Sequence, residues 1–310
     1  MKVFVAGASG AIGRPLLRQL VAAGHEVTGT TRSAERADEI RALGCAPAVC
    51  DVFDRAALKA AVAEAAPEVV INQLTSLPRD YNPRRLDYGP TNRVRTEGGG
   101  NLIAAAREAR ARRFVTQSIS FMYAPEGDWV KGEEARLFTD APGAFATGVR
   151  ALIEHERAAL EAPGLDSVVL RYGWFYGPGT YYASDGSIAE QVRKRRFPVV
   201  GKGSGIVSFL HVEDAAGATV VASEQGSPGI YNVVDDDPAS FAEWLPVYAE
   251  ALGAKRPRRV PAFVAWLVAG GAAAALATEL RGASNAKVKR ELGWQPRYAS
   301  WRQGFREALG

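Results

Sequence analysis

Cysteine is nearly absent from this chain. Its 310 residues include only Cys45 and Cys50. A pair that close, with no histidine cluster beside it, provides neither a disulfide framework nor a zinc site. No metal is expected, and a reducing cytoplasm is the expected setting. An excess of one charge sign is also missing. The net charge is +4 with both signs mixed along the sequence, which suits an anionic ligand without selecting nucleic acid. The basic cluster Arg193-Lys194-Arg195-Arg196 reads as a solvated helix end, because no helix-turn-helix or zinc pattern accompanies it. No nucleic-acid partner is expected. A secretory leader is not expected either, since the first apolar run is broken by glycine. Long apolar runs are lacking except for Ala262 to Ala277. That stretch is short for a span and low in Leu, Ile and Phe, so it reads as a buried or lid helix, with membrane contact the alternative. Stable membrane insertion is not expected.

What is present is a soluble composition, 47% hydrophobic and 23% charged, in a chain long enough to bury a full core. Its organising stretch is Val3-Phe4-Val5-Ala6-Gly7-Ala8-Ser9-Gly10-Ala11-Ile12-Gly13. A buried strand turns at Gly7, and a helix follows. Gly10 leaves room for a pyrophosphate, and Gly13 lets the helix lie close to the strand. The unpaired N–H groups of that helix face the phosphates, so Gly7, Ser9, Gly10, Ala11, Ile12 and Gly13 are expected to hold a dinucleotide. The spacing G-x-x-G-x-x-G differs from the commoner G-x-G-x-x-G.

The end of the second strand selects the nucleotide. An acidic residue there would bind the ribose 2′-OH of NAD. This chain has Thr31, Arg32 and Ser33, a guanidinium and two hydroxyls that suit the 2′-phosphate of NADP. Asp51 and Val52 follow the third strand. Asp51 either accepts from the adenine amino group or caps the helix near Arg55. Leu74 and Thr75 lie after the fourth strand, at the carboxyl end where ligands sit in an open parallel sheet. Pro78 to Pro90, with Tyr81 and Tyr88, reads as a loop near the site entrance. Thr91 to Arg110 reads as a helix despite Gly98-Gly99-Gly100, and His155 as helix surface.

Further pieces carry a resemblance. They are Asp51-Val52, Asn101-Leu102, Phe114 to Tyr123, Leu170-Arg171-Tyr172-Gly173-Trp174-Phe175-Tyr176-Gly177-Pro178-Gly179, Phe209-Leu210-His211-Val212-Glu213-Asp214-Ala215, Tyr231-Asn232-Val233, and Lys289-Arg290-Glu291-Leu292-Gly293-Trp294-Gln295-Pro296. With the glycine turn, and in this order, the chain resembles the extended or atypical short-chain dehydrogenase/reductase family (NAD(P)-dependent epimerase/dehydratase) over nearly its whole length. The resemblance implies an α/β fold: a Rossmann doubly wound parallel sheet at residues 1–172 binding NADP, and a smaller mixed C-terminal substrate lobe at 173–310. The chain is expected to cross back to the Rossmann domain near 205–230. The backbone of Tyr172, Gly173 and Trp174 would face the nicotinamide, Tyr181 and Tyr182 would line the pocket with Tyr81, and His211 and Asp214 would support the fold.

The family usually carries a Ser or Thr after the fifth strand and a Tyr-x-x-x-Lys on the next helix. Aligning the usual downstream Glu with Glu154 puts Arg150 at the Lys position and Ala146 at the Tyr position. Arg150 can bind ribose or phosphate but cannot donate a proton at ordinary pH. Ser118 and Ser120 flank the usual serine site, and Tyr123 is the nearest phenol. These three are the expected catalytic residues, with Ser118 first. Trp244, Phe263, Trp266, Trp294 and Trp301 suggest an apolar lid. The expectation is therefore NADPH-dependent reduction of a ketone on a hydrophobic, aromatic polyketide-like substrate by a monomer or homodimer. The alternatives are a sugar-nucleotide epimerase/dehydratase and a non-catalytic NADP-binding sensor.

Overall fold

Val3, Phe4 and Val5 are buried, as a strand covered on both faces requires. They belong to β1 (Lys2–Ala6), the first strand of a seven-stranded sheet in a computed structural model that describes residues 1–82 and 87–309. The other strands are β2 (Glu26–Thr31), β3 (Ala46–Val49), β4 (Val69–Asn72), β5 (Arg113–Ile119), Asp166–Tyr172 and Gly229–Val233. Their order across the sheet is Gly229–Val233, Asp166–Tyr172, β5, β4, β1, β2, β3, and every pairing is parallel. The order reverses between β1 and β4, which opens a crevice at their carboxyl ends.

Helices connect the strands: α1 (Gly13–Ala22), α2 (Ala34–Ala42), α3 (Arg55–Ala65), α4 (Gly89–Arg93), α5 (Gly99–Glu108) and α6 (Ala144–Leu160). Pro15 lies buried in the first turn of α1, where its missing N–H is tolerated. Ser33 caps α2 and Asp54 caps α3. Asp51 instead accepts from Phe53 N at 2.9 Å, which corrects the reading of Asp51 as a helix cap. Between α4 and α5 the backbone makes one π-helical turn, Val94–Gly98. The long helix expected from Thr91 runs on through this turn, with helical backbone at Arg93, Val94, Gly98 and Gly99. Two of the three adjacent glycines have a packing reason. A Cβ on Gly98 would lie 3.0 Å from Val52, and one on Gly99 would lie 2.6 Å from the His155 ring. His155 is therefore buried under α5 and bonded to Thr116 at 2.7 Å, which corrects its reading as helix surface.

The C-terminal half buries an aromatic cluster around Phe209, Trp244, Tyr248, Trp301 and Phe305. Trp294 joins the sheet core instead, while Phe263 and Trp266 are exposed, so the five expected lid aromatics do not act as one surface. The stretch from Ala262 is two helices, Ala262–Ala269 and Gly271–Glu279, broken at Gly270 with φ +88°. Among the described residues no helix is long and apolar enough to cross a membrane. His211 caps the helix Val212–Glu224, and Asp214 accepts from Arg297 N and Tyr298 N. Both residues hold the fold, as expected.

Candidate functional site

Gly7 turns the chain out of β1 with φ +92°, and a Cβ there would lie 2.7 Å from Gln73 O. A Cβ on Gly13 would lie 2.3 Å from Gly7 O. These approaches press the turn against the segment after β4 and seal the floor of the crevice. Gly10 is exposed, and a Cβ there would meet only Gly7 O at 3.3 Å. Helix α1 begins with no side-chain cap and no acidic residue in its first turn. This cradle fits a pyrophosphate. Ser9, Ala11 and Ile12, half-buried, surround it. From the far side the loop after Tyr176 arrives, with the Cβ position of Gly179 3.5 Å from Ala11 Cβ.

At the end of β2, Thr30 accepts from Gly7 N at 3.3 Å and ties the turn to the strand. Thr31 is buried and accepts from Ser33 N at 3.2 Å. Ser33 Oγ donates to Glu35 at 2.5 Å and accepts from Arg36 N. Arg32 is exposed and makes no hydrogen bond or ion pair among the described residues. Of the three residues expected to hold a 2′-phosphate, Arg32 alone is exposed with no side-chain hydrogen bond among the described residues. Val52 is buried, Leu74 is half-buried with its N–H donated to Asn72 Oδ1 at 3.1 Å, and Thr75 is exposed.

Across the crevice several expectations are corrected. Ser118 is fully buried and donates to Glu156 at 2.6 Å. Tyr123 donates to Asn232 Oδ1 at 2.7 Å and accepts from Arg171 at 3.1 Å. Arg171 grips Glu156 through two nitrogens at 2.8 and 2.6 Å, with both side chains about 95% buried. Ser118 and Tyr123 are thus supports of a buried ion pair and present no hydroxyl to a substrate. Ser120, just beyond β5, makes no side-chain hydrogen bond among the described residues; its N–H goes to Tyr172 O at 2.8 Å. Arg150 is also misassigned. It is exposed on α6 and donates to Thr139 O at 3.0 Å, because Glu154 faces solvent and Glu156 is the inward acid. Counted back from Glu156 with the same spacing, the two family positions fall on Leu152 and Gly148. Helix α6 contains no tyrosine and no lysine. Where a Gly148 side chain would project, the Tyr88 ring stands at 3.7 Å.

The Tyr172 ring points into the core, its hydroxyl within 2.7 Å of Thr219 and 2.9 Å of Gln73. The N–H groups of Gly173 and Trp174 donate to Val233 O and Ser208 O at 3.0 and 2.8 Å. They are therefore not free to bind a ligand, and the half-buried Trp174 ring is what this segment presents. That ring meets Phe121 edge-on at 5.8 Å and Phe241 at 5.7 Å. Tyr182 packs into the aromatic cluster and is 7% exposed, which corrects its placement as a pocket wall. Tyr81 and Tyr181 pair at 5.8 Å, and Tyr181 donates to Pro78 O at 2.6 Å. Part of the expected 78–90 loop, residues 83–86, lies outside the described residues. A narrow apolar cleft beside the site is lined by Phe121, Phe138, Phe145, Leu276 and Leu280. The sequence signalled neither Tyr88 against Gly148 nor the inward turn of Arg95, since both depend on tertiary packing.

Comparison with known proteins agrees with this geometry. The model of the NAD dependent epimerase/dehydratase family matches residues 3–233. A 3-diazoavenalumate denitrifying reductase from a Streptomyces species is 46% identical over 308 residues, covering 98% of this chain and 99% of that one. A 4-hydroxy-2-methyl-3-oxo-4-farnesyl-3,4-dihydroquinoline-1-oxide ketoreductase from Stigmatella aurantiaca is 29% identical, covering 82% of this chain and 74% of that one. The human epimerase family protein SDR39U1, solved with NADPH, has the same fold at a TM-score of 0.76 and 22% identity, covering 100% of this chain and 99% of that one. This chain belongs to the NAD dependent epimerase/dehydratase family and is an oxidoreductase of the short-chain dehydrogenase/reductase type.

Proposed function

We propose that the protein is an NADPH-dependent reductase that removes a diazo group from an aromatic carboxylic acid. The observation that carries this reading is helix α6, which offers the crevice neither a phenol nor an ammonium. Reduction of a ketone places charge on an oxyanion that must receive a proton. An aryl diazonium makes no such demand. The glycine turn and Arg32 would hold NADPH in the crevice, and that nucleotide would supply a hydride. The terminal nitrogen of the diazonium takes it with both electrons and becomes a neutral aryl diazene; that N–H gives up its proton, the carbon–nitrogen bond breaks, dinitrogen leaves, and the electron pair left on the ring carbon takes a proton. The 46% identical relative, named for a diazo carboxylate and for denitrifying reduction, supports the acceptor.

The residues of this chain hold the reactants. The glycine turn binds the pyrophosphate and Arg32 the 2′-phosphate, with Asp51 and Val52 at the adenine and Leu74 and Thr75 at the ribose. Trp174, Phe121, Tyr81 and Tyr181 offer aromatic faces to an aromatic ring. Ser120 is the free hydroxyl beside the reacting group. Ketone reduction is the second reading, and Tyr88 favours it, since its ring, through Cδ1 and Cγ, lies 3.7 and 3.8 Å from the Cβ position of Gly148 and brings a phenol to this part of α6. The test is to supply NADPH with a 4-hydroxyaryl diazonium carboxylate and, separately, with an aromatic ketone. The expected result is NADPH oxidation with the diazonium that persists in Tyr88→Phe. Oxidation with the ketone alone, abolished by Tyr88→Phe, would replace the first reading by the second. Oxidation with neither would sink both.

A further inference from the structure

Arg95 is a buried cation without a counter-ion among the described residues. Its residue is 6% exposed. Its sole hydrogen-bond acceptor among the described residues is Asn92 Oδ1, at a long 3.4 Å from Nη1. Its Nε is sealed from solvent and has no partner. The neighbours that act on it electrostatically, the Tyr88 phenol and the His155 ring, carry no negative charge at neutral pH. Burial pushes the guanidinium pKa down to about 10 while Tyr88 opposes the shift, so Arg95 remains charged. Residues 83–86, outside the described structure, are Pro-Arg-Arg-Leu and contain no acid. A π-helical turn, a feature that recurs at functional sites, carries Arg95 inward. Its neighbour Tyr88 sets its ring 3.7 Å from the Cβ position of Gly148 on α6, and Thr91, one turn before Arg95, accepts from Ser76 N in the loop after β4 at 3.3 Å.

A buried guanidinium whose Nε is sealed and unpaired favours an anion, and the described residues provide none. We infer that Arg95 receives the carboxylate of the substrate. A planar fork with unused donors matches a carboxylate. Anchoring that end leaves the aromatic ring to lie toward Trp174 and the terminal nitrogen of the diazonium toward the nicotinamide. The assignment rests on the proposed substrate class, an aromatic carboxylic acid, and adds how that acid is recognised.

The test is a binding measurement that needs no turnover. Enzyme loaded with NADP+ is titrated with 4-hydroxycinnamate and with its methyl ester. The wild type is expected to prefer the acid by about 30-fold, the scale of a charge-assisted hydrogen-bonded pair. Arg95→Met should erase the preference by weakening the acid alone, Arg95→Lys should keep part of it, and the melting temperature of Arg95→Met should not fall. Equal binding of acid and ester by the wild type overturns the assignment and leaves the reductase reading standing. Equal loss of both ligands in Arg95→Met, with a lowered melting temperature, also overturns it, because Arg95 would then be a structural residue. Failure of the wild type to bind either ligand overturns the substrate class and the assignment together.

Discussion

Two buried arginines, Arg171 against Glu156 and Arg95 near His155, live differently. Arg171 is held by Glu156 through two nitrogens and shares its surroundings with Tyr123 and Ser118. Arg95 has one long contact to an amide oxygen. The first pair is complete within the chain, so it serves the scaffold. The second lacks its anion, so it is available to a ligand. The contrast separates residues that look alike in sequence. It also accounts for Ser118 and Tyr123, which sit with the complete pair and are therefore occupied.

The comparison can be broken most directly at the complete pair. Glu156→Ala strands Arg171 without its acid and should cost about 3–5 kcal/mol of stability in denaturant unfolding. A loss below about 1 kcal/mol would mean that the pair is not what holds this side of the sheet. Arg95→Met is the opposite case, with stability unchanged and only the acid ligand weakened.

Protonation of His155 sharpens the contrast. Burial, with Arg95 next and Glu156 opposing, holds its pKa down to about 4 from an ordinary 6.5. The unfolded chain therefore takes up a proton that the folded chain refuses. Stability is full above about pH 6.5 and falls as the pH drops toward about 4. For this residue the loss is about 2 kcal/mol at pH 5. His211, held down to about 4 chiefly by burial, adds a similar loss. Arg95→Met should raise the His155 pKa in an NMR titration, whereas Arg32→Ala should leave it unchanged. The smallest effect belongs to Arg32, which has no structural partner among the described residues. Arg32→Ala should weaken NADPH about 10-fold, or about 1.4 kcal/mol, and leave NADH nearly unaffected. Equal losses for the two nucleotides would remove the 2′-phosphate assignment.

The nucleotide half was legible because its signals are local. A strand, a glycine turn and a helix start occupy the first thirteen residues, and each glycine answers a backbone approach made within the turn or to the segment after β4. The reacting half was not legible, for reasons of geometry. Glu154 and Glu156 are two residues apart, about 200° around a helix, so choosing the wrong one reverses which face points inward. The misreading of Arg150 follows from that choice. Ser118 and Ser120 would share a face if the strand continued, but β5 ends at Ile119. One hydroxyl stays in the sheet and the other leaves it. The contacts of Tyr88 with Gly148 and of Gly99 with His155 join segments about 60 residues apart, which no local pattern encodes.

The central claim is that this crevice delivers a hydride to an acceptor that needs no phenol from α6. The most direct test is a single-turnover reaction of the enzyme with NADPH and an aryl diazonium carboxylate labelled with nitrogen-15. Dinitrogen and NADP+ are counted together. The account predicts one labelled dinitrogen and one NADP+ for each denitrified product. Release of dinitrogen without NADPH oxidation, or NADPH left intact beside unreacted diazonium, would contradict it.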